Sequence, residues 1–312
     1  MLVAALLAPS DLAAQADLAT SRIDSVFADL DVEDSPGCAL GVWKEGDLAY
    51  TRGYGYANLD YRIPITDETV FGIGSTSKQF TAAAVVLTAQ RGQLSLDDDI
   101  RRWIPEFPTY ERPITVRHLV HHTSGIRDDA QLRAVGNLPD LGPEQVVDLL
   151  ARQRALNFPP GERHLYSNSG YVLLAVIVER ATGRPLRDLV KEEFFAPLGM
   201  DATMFKRSNA IVPLGATGYW PVEGAFIVRS RADAENIGAG GAFSSVGDFS
   251  RWIAMLAEDG PNDDLRQAML EEGALASGET LDYAFGLSTG THRGVPVIYH
   301  GGAENGYRAG FI

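Results

Sequence analysis

The sequence predicts an α+β protein whose antiparallel sheet is split along the chain, with a helical region inserted between its parts. The first observation is a set of strand patterns, two early and three late: 38–43, 48–54, 283–287, 295–300 and 307–312. The second is the stretch from residue 75 to about residue 282, where helical patterns dominate and Gly- and Pro-rich turns separate them. The third is composition, since 312 residues with 45% hydrophobic and 22% charged content are typical of a globular protein.

The first element is a helix over about 18–30, because apolar residues recur there every three to five positions. Pro36 and Gly37 then end the connection. Two strand patterns follow and are joined at 44–47, which indicates a hairpin. The chain therefore opens as a helix followed by antiparallel strands.

A helix over 75–90, stopping at Gly92, is apolar on nearly every side and should lie in the interior. Further helices are predicted by periodicity, with Ser244 or Ser245 as a possible cap of the last one. These segments are 116–122, 143–156, 171–182, 185–193 and 248–258.

Charge and composition exclude several classes of function. The formal net charge of −14, with no cluster of Lys or Arg to offset it, repels polyanions and argues against a nucleic-acid partner. No stretch approaches the ~20 apolar residues of a membrane span. Cys38 is the single cysteine, so the chain has no internal disulfide.

Residues 1–16 are typical of a signal peptide, since an apolar run over 1–8 precedes Ala14-Gln-Ala16, a small-x-small cleavage site. We therefore expect a periplasmic or secreted protein. No Lys or Arg precedes the apolar run, so an apolar helix start is the alternative interpretation.

Ser75 and Lys78 are the first candidates for chemistry. Residues three apart on a helix lie on the same face, so the hydroxyl and the amine can touch. The first-turn N–H groups of a helix lack intrahelical partners and stabilise negative charge near Ser75 Oγ. This pattern favours an activated serine nucleophile.

Two later clusters place reactive groups beside tight turns. Tyr166-Ser-Asn168 puts a phenol, a hydroxyl and an amide on a loop before a helix. Tyr299-His300-Gly301-Gly302-Ala303 ends a late strand, where small residues let a substrate backbone pair closely.

Together, Ser75-Thr-Ser-Lys78, Tyr166-Ser-Asn168 and His300-Gly-Gly302 resemble the three ordered motifs of the serine β-lactamase and penicillin-binding protein superfamily. The middle motif has the form of the class C-like branch, which holds related D-peptidases and esterases. The resemblance spans nearly the whole chain after Leu18, including His118–Gly125, 197–200 and 240–245.

The resemblance implies a β-lactamase-like fold with an antiparallel sheet flanked by helices, packed on a mostly helical half, and the active site between them. It implies a single catalytic domain over 17–312, with the α/β half at 17–72 and 283–312 and the helical half at 73–282. It leads us to expect a carboxyl-terminal strand and helix to be missing after Ile312.

The resemblance also implies roles for the motif residues. Ser75 is the acylated nucleophile, Lys78 takes or relays its proton, and Tyr166 acts as base or shuttle. Asn168 binds substrate, and the N–H groups of Ser75 and Ala303 form the oxyanion hole. Whether Lys78 or Tyr166 removes the Ser75 proton stays open.

The third motif departs from the usual β-lactamase form, because His300 stands where Lys is expected. The site then lacks a fixed cation for a penicillin carboxylate at pH 7, with His300, Gly301, Gly302 and Ala303 as the substrate-binding strand. We therefore expect an esterase or D-peptidase acting on small ester, amide or peptide substrates, with at most weak β-lactamase activity.

The alternatives are of other classes. A non-catalytic or slowly acylating binding or sensing relative would keep the cleft but has no need of the Ser/Lys/Tyr set. An incomplete fragment of such an enzyme is a further alternative. A metal site at His118, His121 and His122 lacks a completing carboxylate, so we expect no metal and no cofactor. The oligomeric state cannot be predicted from these patterns.

Overall fold

The computed structural model describes residues 20–44, 47–138, 141–207, 209–229, 237–257 and 263–312. The predicted α+β fold class is confirmed: strands lie near both ends of the described chain, and most helices lie between them. The signal segment predicted over 1–16 lies outside the described residues. No helix of the part that the structure describes is long and apolar enough to cross a bilayer.

The helices are short except for two, which form the centre of the molecule. Their bounds are α1 20–27, α2 Lys78–Gln90, α3 Val116–Val120, α4 Asp129–Gly136, α5 Pro143–Ala151, α6 Asn168–Thr182, α7 Leu186–Val190, α8 Val246–Leu256 and α9 Asp263–Met269. Sequence periodicity did not predict α4, because this helix is largely exposed and buries only Asp129.

Every ladder between two of the described strands is antiparallel. Their bounds are β1 Cys38–Lys44, β2 Asp47–Tyr54, β3 Tyr56–Asn58, β4 Ile63–Pro64, β5 Phe71–Gly72, β6 Met204–Phe205, β7 Tyr219–Val222, β8 Ala225–Val228, β9 Ala242–Ser244, β10 Ser288–His292, β11 Val295–Glu304 and β12 Tyr307–Phe311. The ladders join β1–β2, β3–β4, β5–β9–β6, β7–β8 and β10–β11–β12.

The strand predicted over 283–287 is wrong, because the first late strand begins at Ser288. The backbone turns sharply instead, with the Ala284 N–H donating to the Leu287 carbonyl at 2.8 Å. Gly286 has a φ of +71°, and a Cβ there would lie 2.7 Å from the backbone nitrogen of Gln79. The apolar run is therefore buried as a turn packed against the start of α2.

The main core surrounds α2 and α6, which are buried along most of their length. Phe80 of α2 packs edge-on against Phe195 and Trp252, with ring centroids 4.9 and 4.8 Å apart. The indole N–H of Trp252 donates to the side chain of Gln79. This packing fixes α2 on several sides, so the residues at its amino-terminal end are held in place.

Candidate active site

Ser75 lies in a tight turn directly before α2. Residues Gly74–Ser77 form a 3-10 turn and the α-helix begins at Lys78, three residues after the predicted start. The Ser77 hydroxyl closes the turn by donating to the Gly74 carbonyl at 2.6 Å. Gly74 has a φ of +52°, which favours glycine, and a Cβ there would lie 2.7 Å from the nitrogen of Ala303. The turn therefore leaves Ser75 half-buried beside β11.

Lys78 is fully buried behind Ser75, with 0% exposure. Its Nζ lies 3.1 Å from Ser75 Oγ, 2.8 Å from Asn168 Oδ1 and 2.7 Å from the Ala239 carbonyl oxygen. Burial lowers the pKa of Lys78 to about 7. A neutral amine has two N–H donors and one lone pair, so it can satisfy the two carbonyl oxygens and still accept the Ser75 proton.

Tyr166 lies on the loop before α6, next to both residues. Lys78 Nζ is 4.8 Å from the centroid of its ring. Burial raises the pKa of Tyr166 to about 12, and its hydrogen bond with Ser75 opposes this only in part. The phenol is therefore neutral at pH 7 and can both donate and accept a proton.

Asn168 is the first residue of α6, and its backbone is held by Asp128, a residue that sequence reasoning missed. The Asn168 N–H donates to Asp128 Oδ2 at 2.7 Å, while Asp128 Oδ1 accepts from Ala130 at the start of α4. Because Asn168 Oδ1 accepts from Lys78, its amide nitrogen is the group left to face a substrate. An Asp followed by a short polar helix was the available signal for Asp128.

The third motif lies on β11, in contact with the turn that carries Ser75. A Cβ at Gly302 would lie 1.9 Å from the Ile73 carbonyl oxygen, so only glycine allows this approach. Ala303 pairs with Arg308 of β12. The backbone of Ala303 is thus brought beside the Ser75 turn, as expected for a pair of oxyanion donors.

His300 is buried, and protein partners face both of its ring nitrogens. Nδ1 donates to the Gly301 carbonyl at 2.7 Å, so Nε2 accepts from the Tyr283 hydroxyl at 3.3 Å. Burial lowers the pKa of His300 to about 4, with Lys78 adding to the effect. The ring is therefore neutral at pH 7 and supplies no cation, and its role as a substrate-binding residue stays a prediction.

The last residue of β11, Glu304, carries a carboxyl group that sequence reasoning did not identify. Burial raises the pKa of Glu304, although the backbone N–H groups of Gly74 and Gly241 favour its charged form. Its Oε2 is buried without a hydrogen-bond partner in the described residues. Glu304 thus lies at the end of β11 beside the Ser75 turn.

The motif residues meet at one cavity of about 780 Å³. Its described lining comprises Ser75, His164, Tyr166, Leu281, Asp282, Tyr283, Ser288, His300, Gly301, Gly302, Ala303, Arg308 and Ala309. Lys78 and Asn168 stand behind Ser75. Sequence reasoning singled out neither Asp282, Tyr283 nor Arg308, whose positions depend on how distant segments come together.

The three histidines considered for a metal are spread over separate contacts. His118 Nδ1 accepts from the Thr115 N–H and caps α3, while His122 Nδ1 accepts from the Ser167 N–H. His121 packs edge-on against Phe285. Within the described ranges, no group of three or more His, Cys, Asp or Glu side chains is arranged to hold a metal ion.

Comparison with curated proteins gives relatives among peptidases and penicillin-binding proteins. The chain is 32% identical over 291 residues to penicillin-binding protein 4* of Bacillus subtilis, covering 84% of this chain and 62% of that protein. It is 30% identical over 304 residues to a D-aminopeptidase of Gluconobacter oxydans, covering 94% and 56%. The chain thus spans about three-fifths of the length of these relatives.

Solved structures show the same fold. The octameric penicillin-binding protein homologue from Pyrococcus abyssi superposes with a TM-score of 0.79 at 28% identity, covering 94% of this chain and 70% of that chain. A D-amino acid amidase from Ochrobactrum anthropi gives 0.69 at 26% identity, covering 86% and 80%. The family model described as Beta-lactamase matches residues 23–312. This chain, in which Ser75, Lys78 and Tyr166 come together at one cavity, therefore belongs to the β-lactamase family, within the serine β-lactamase and penicillin-binding protein superfamily.

Proposed function

We propose that this chain carries the catalytic site of a serine hydrolase that cleaves amide, peptide or ester bonds through an acyl-enzyme on Ser75. The observation that supports it best is the buried Lys78 amine, 3.1 Å from Ser75 Oγ, with carbonyl oxygens at 2.7 and 2.8 Å. An amine held in this way has its lone pair available for the serine proton.

Acylation then follows from the geometry. Lys78 takes the Ser75 proton while Oγ attacks the substrate carbonyl carbon, and the N–H groups of Ser75 and Ala303 stabilise the oxyanion. When the tetrahedral intermediate collapses, the neutral Tyr166 phenol gives its proton to the leaving atom and regains one from the Lys78 ammonium. Water then attacks the acyl group, Lys78 accepts the water proton, and that proton returns to Ser75 Oγ as the acid departs.

The substrate class is supported by the relatives and by the site. The name of the D-amino acid amidase indicates amides of D-amino acids, and the name of the D-aminopeptidase indicates peptides with an amino-terminal D-residue. The neutral, hydrogen-bonded His300 supplies no charge for a penicillin carboxylate. The names of these relatives therefore place amides and peptides first among the proposed substrates.

The first prediction is that a fluorophosphonate adds one adduct to the protein at Ser75, and that Ser75→Ala prevents both this labelling and the hydrolysis of an aryl ester. Intact-mass measurement with peptide mapping detects the adduct, and a colorimetric assay follows the ester. Ser288→Ala, which removes another hydroxyl from the cavity lining, is the matched control. Equal turnover by the Ser75→Ala variant and the parent would exclude this function in favour of a binding relative.

A further inference from the structure

The cavity beside Ser75 carries two charged side chains of opposite sign among its described lining residues, Asp282 and Arg308. The histidines of the lining do not add a charge at pH 7, because burial lowers the pKa values of His164 and His300. The charge pattern of this cavity is therefore one anion and one cation. Both side chains are exposed to solvent at its mouth.

Arg308 lies opposite the predicted oxyanion residue. It pairs with Ala303 across β11 and β12, and directly opposed residues of an antiparallel pair project to the same face. Nη1 donates to the Tyr307 carbonyl at 2.7 Å and to the Glu304 carbonyl at 3.3 Å. The guanidinium carbon lies 5.4 Å from the centroid of the Trp220 ring. These contacts orient the guanidinium of a residue that lines the same cavity as Ser75.

The remaining nitrogens of Arg308 are open to a ligand. Within the described part of the chain, Nε and Nη2 make no hydrogen bond or ion pair to protein. Arg forms paired hydrogen bonds with a carboxylate through two neighbouring N–H groups. The cation that His300 does not supply is therefore present on the adjacent strand.

Asp282 is held by its backbone, and its carboxylate is open. Its carbonyl oxygen accepts from the Thr289 N–H at 3.2 Å, and Tyr283, the next residue, hydrogen-bonds to His300. The carboxylate makes no hydrogen bond or ion pair within the described residues, and it does not pair with Arg308. An exposed anion without a protein partner at the cavity mouth complements a substrate ammonium group.

We propose that the cavity selects zwitterionic substrates, short peptides with a free amino group and a free carboxylate, through Asp282 and Arg308 respectively. This inference rests on the proposed Ser75 hydrolase function and names the class of substrate that it takes. A cavity of about 780 Å³ is of the size that holds a small ligand.

The test compares four forms of D-alanyl-D-alanine: unmodified, amino-terminally acetylated, carboxyl-terminally amidated, and blocked at both ends. For the parent we expect each block to lower kcat/KM about fivefold or more, since partly exposed charge pairs have modest strength. Asp282→Asn removes the preference for the free amino group, and Arg308→Gln removes the preference for the free carboxylate. For each variant we compare kcat/KM for the free substrate with kcat/KM for the blocked substrate. This ratio is unaffected by a general loss of activity.

Two matched variants control for charge alone. Glu279→Gln removes a carboxylate on the segment before Asp282, and Arg293→Gln removes a cation from the β10–β11 turn, both outside the cavity lining. These variants keep the parental ratios if the proposal is correct. Thermal unfolding is the check that all four variants are folded.

The inference is overturned if either block changes kcat/KM of the parent less than twofold. It is also overturned if Asp282→Asn keeps the preference for a free amino group, or if Arg308→Gln keeps the preference for a free carboxylate. It is also overturned if the parent hydrolyses a neutral aryl ester through Ser75 but none of the four dipeptides. Failure of the hydrolase proposal is a different result, in which Ser75 is not labelled by fluorophosphonate and no ester is cleaved.

Discussion

Lys78 has the environment of a base, because desolvation of its ammonium outweighs the charges around it. Its side chain is fully buried, and burial is the largest influence on its pKa. Asp128 and Glu304 act in the opposite direction but are weaker. The result is a pKa of about 7, where an amine is partly neutral and also a useful proton acceptor.

This gives a pH prediction at the scale of one residue. The neutral form of Lys78 accepts the proton, and neutral amine increases as pH rises through its lowered pKa. We therefore expect kcat/KM for an aryl ester to rise with pH and level off above a midpoint near 7. Lys78→Arg keeps the charge fixed, so the rise should vanish and activity should fall about 10²- to 10⁴-fold, the range for loss of a general base.

Stopped assays from pH 5 to 9, with unfolding followed at each pH, provide the measurement. His164 and His300 face the same cavity, but their lowered pKa values place their titration below this midpoint. A rise retained in Lys78→Arg would assign the midpoint to another group.

Residue spacing predicted the Ser75 and Lys78 contact because a helix brings residues three apart together by local geometry. The extent to which burial lowers the pKa of Lys78 was not predictable, since it depends on packing by distant segments. The same holds for His300: its identity was visible in the sequence, but its hydrogen bond to Tyr283 joins a turn to a strand. Contacts that depend on local spacing could be predicted from the sequence, whereas protonation states that depend on burial could be found only from the structure.

Strand β11 brings the third motif next to the Ser75 turn. This close approach is possible only because no side chain lies between the strand and the turn. Gly302 meets the Ile73 carbonyl, and a Cβ there would also lie 2.9 Å from Thr76 Oγ1. At Gly301, its neighbour, a Cβ would have no other heavy atom within 4 Å. Adjacent glycines of one strand thus have opposite steric surroundings.

Substitution of these two glycines tests the approach. Gly302→Ala must move β11 away from the turn and misplace the Ala303 donor, so we expect kcat to fall about 10²-fold or more, the cost of losing one oxyanion donor. Gly301→Ala, with open space around its Cβ, should stay within about threefold of the parent by the same reasoning. Steady-state kinetics on an aryl ester, with circular dichroism to check folding, make the comparison. Similar kcat values for both variants would argue against close contact between β11 and the turn.

Elements with strong periodicity or clear turns were predicted well, such as the β1–β2 hairpin and the helix that follows Ser75. The segment 283–287 was misassigned because a short apolar run fits a strand and a buried turn equally well. Helix α4 was missed because it presents little apolar surface to the core. The short strands β3 to β9 were not predicted either, and like these two segments they take their structure from their neighbours.

At the scale of the whole molecule, the cavity is assembled from segments far apart in sequence. Ser75, Tyr166 and Ala303 line the same space, although more than 200 residues separate the first from the last. A ligand that bonds to Ser75 and occupies the oxyanion position therefore connects the start of α2 to the late strands. The free energy of unfolding should rise when such a ligand is bound.

A reversible boronic acid tests this linkage. At a concentration of 100 times its Kd, a ligand that binds only the folded state adds about 2.7 kcal/mol to the free energy of unfolding. We expect differential scanning fluorimetry to show a higher Tm that increases with boronate concentration in the parent and not in Ser75→Ala. An equal increase in both proteins would mean that the boronate binds elsewhere.

Trp220 contacts the guanidinium of Arg308, which lines the cavity, and its indole is 43% exposed. Trp252, by contrast, is fully buried in the main core. Indole emission responds to the charge and solvent around the ring, so a substrate that draws Arg308 toward its carboxylate changes the light emitted by Trp220. We therefore expect Trp220 emission to report occupancy of the cavity without a label and before any bond is cleaved.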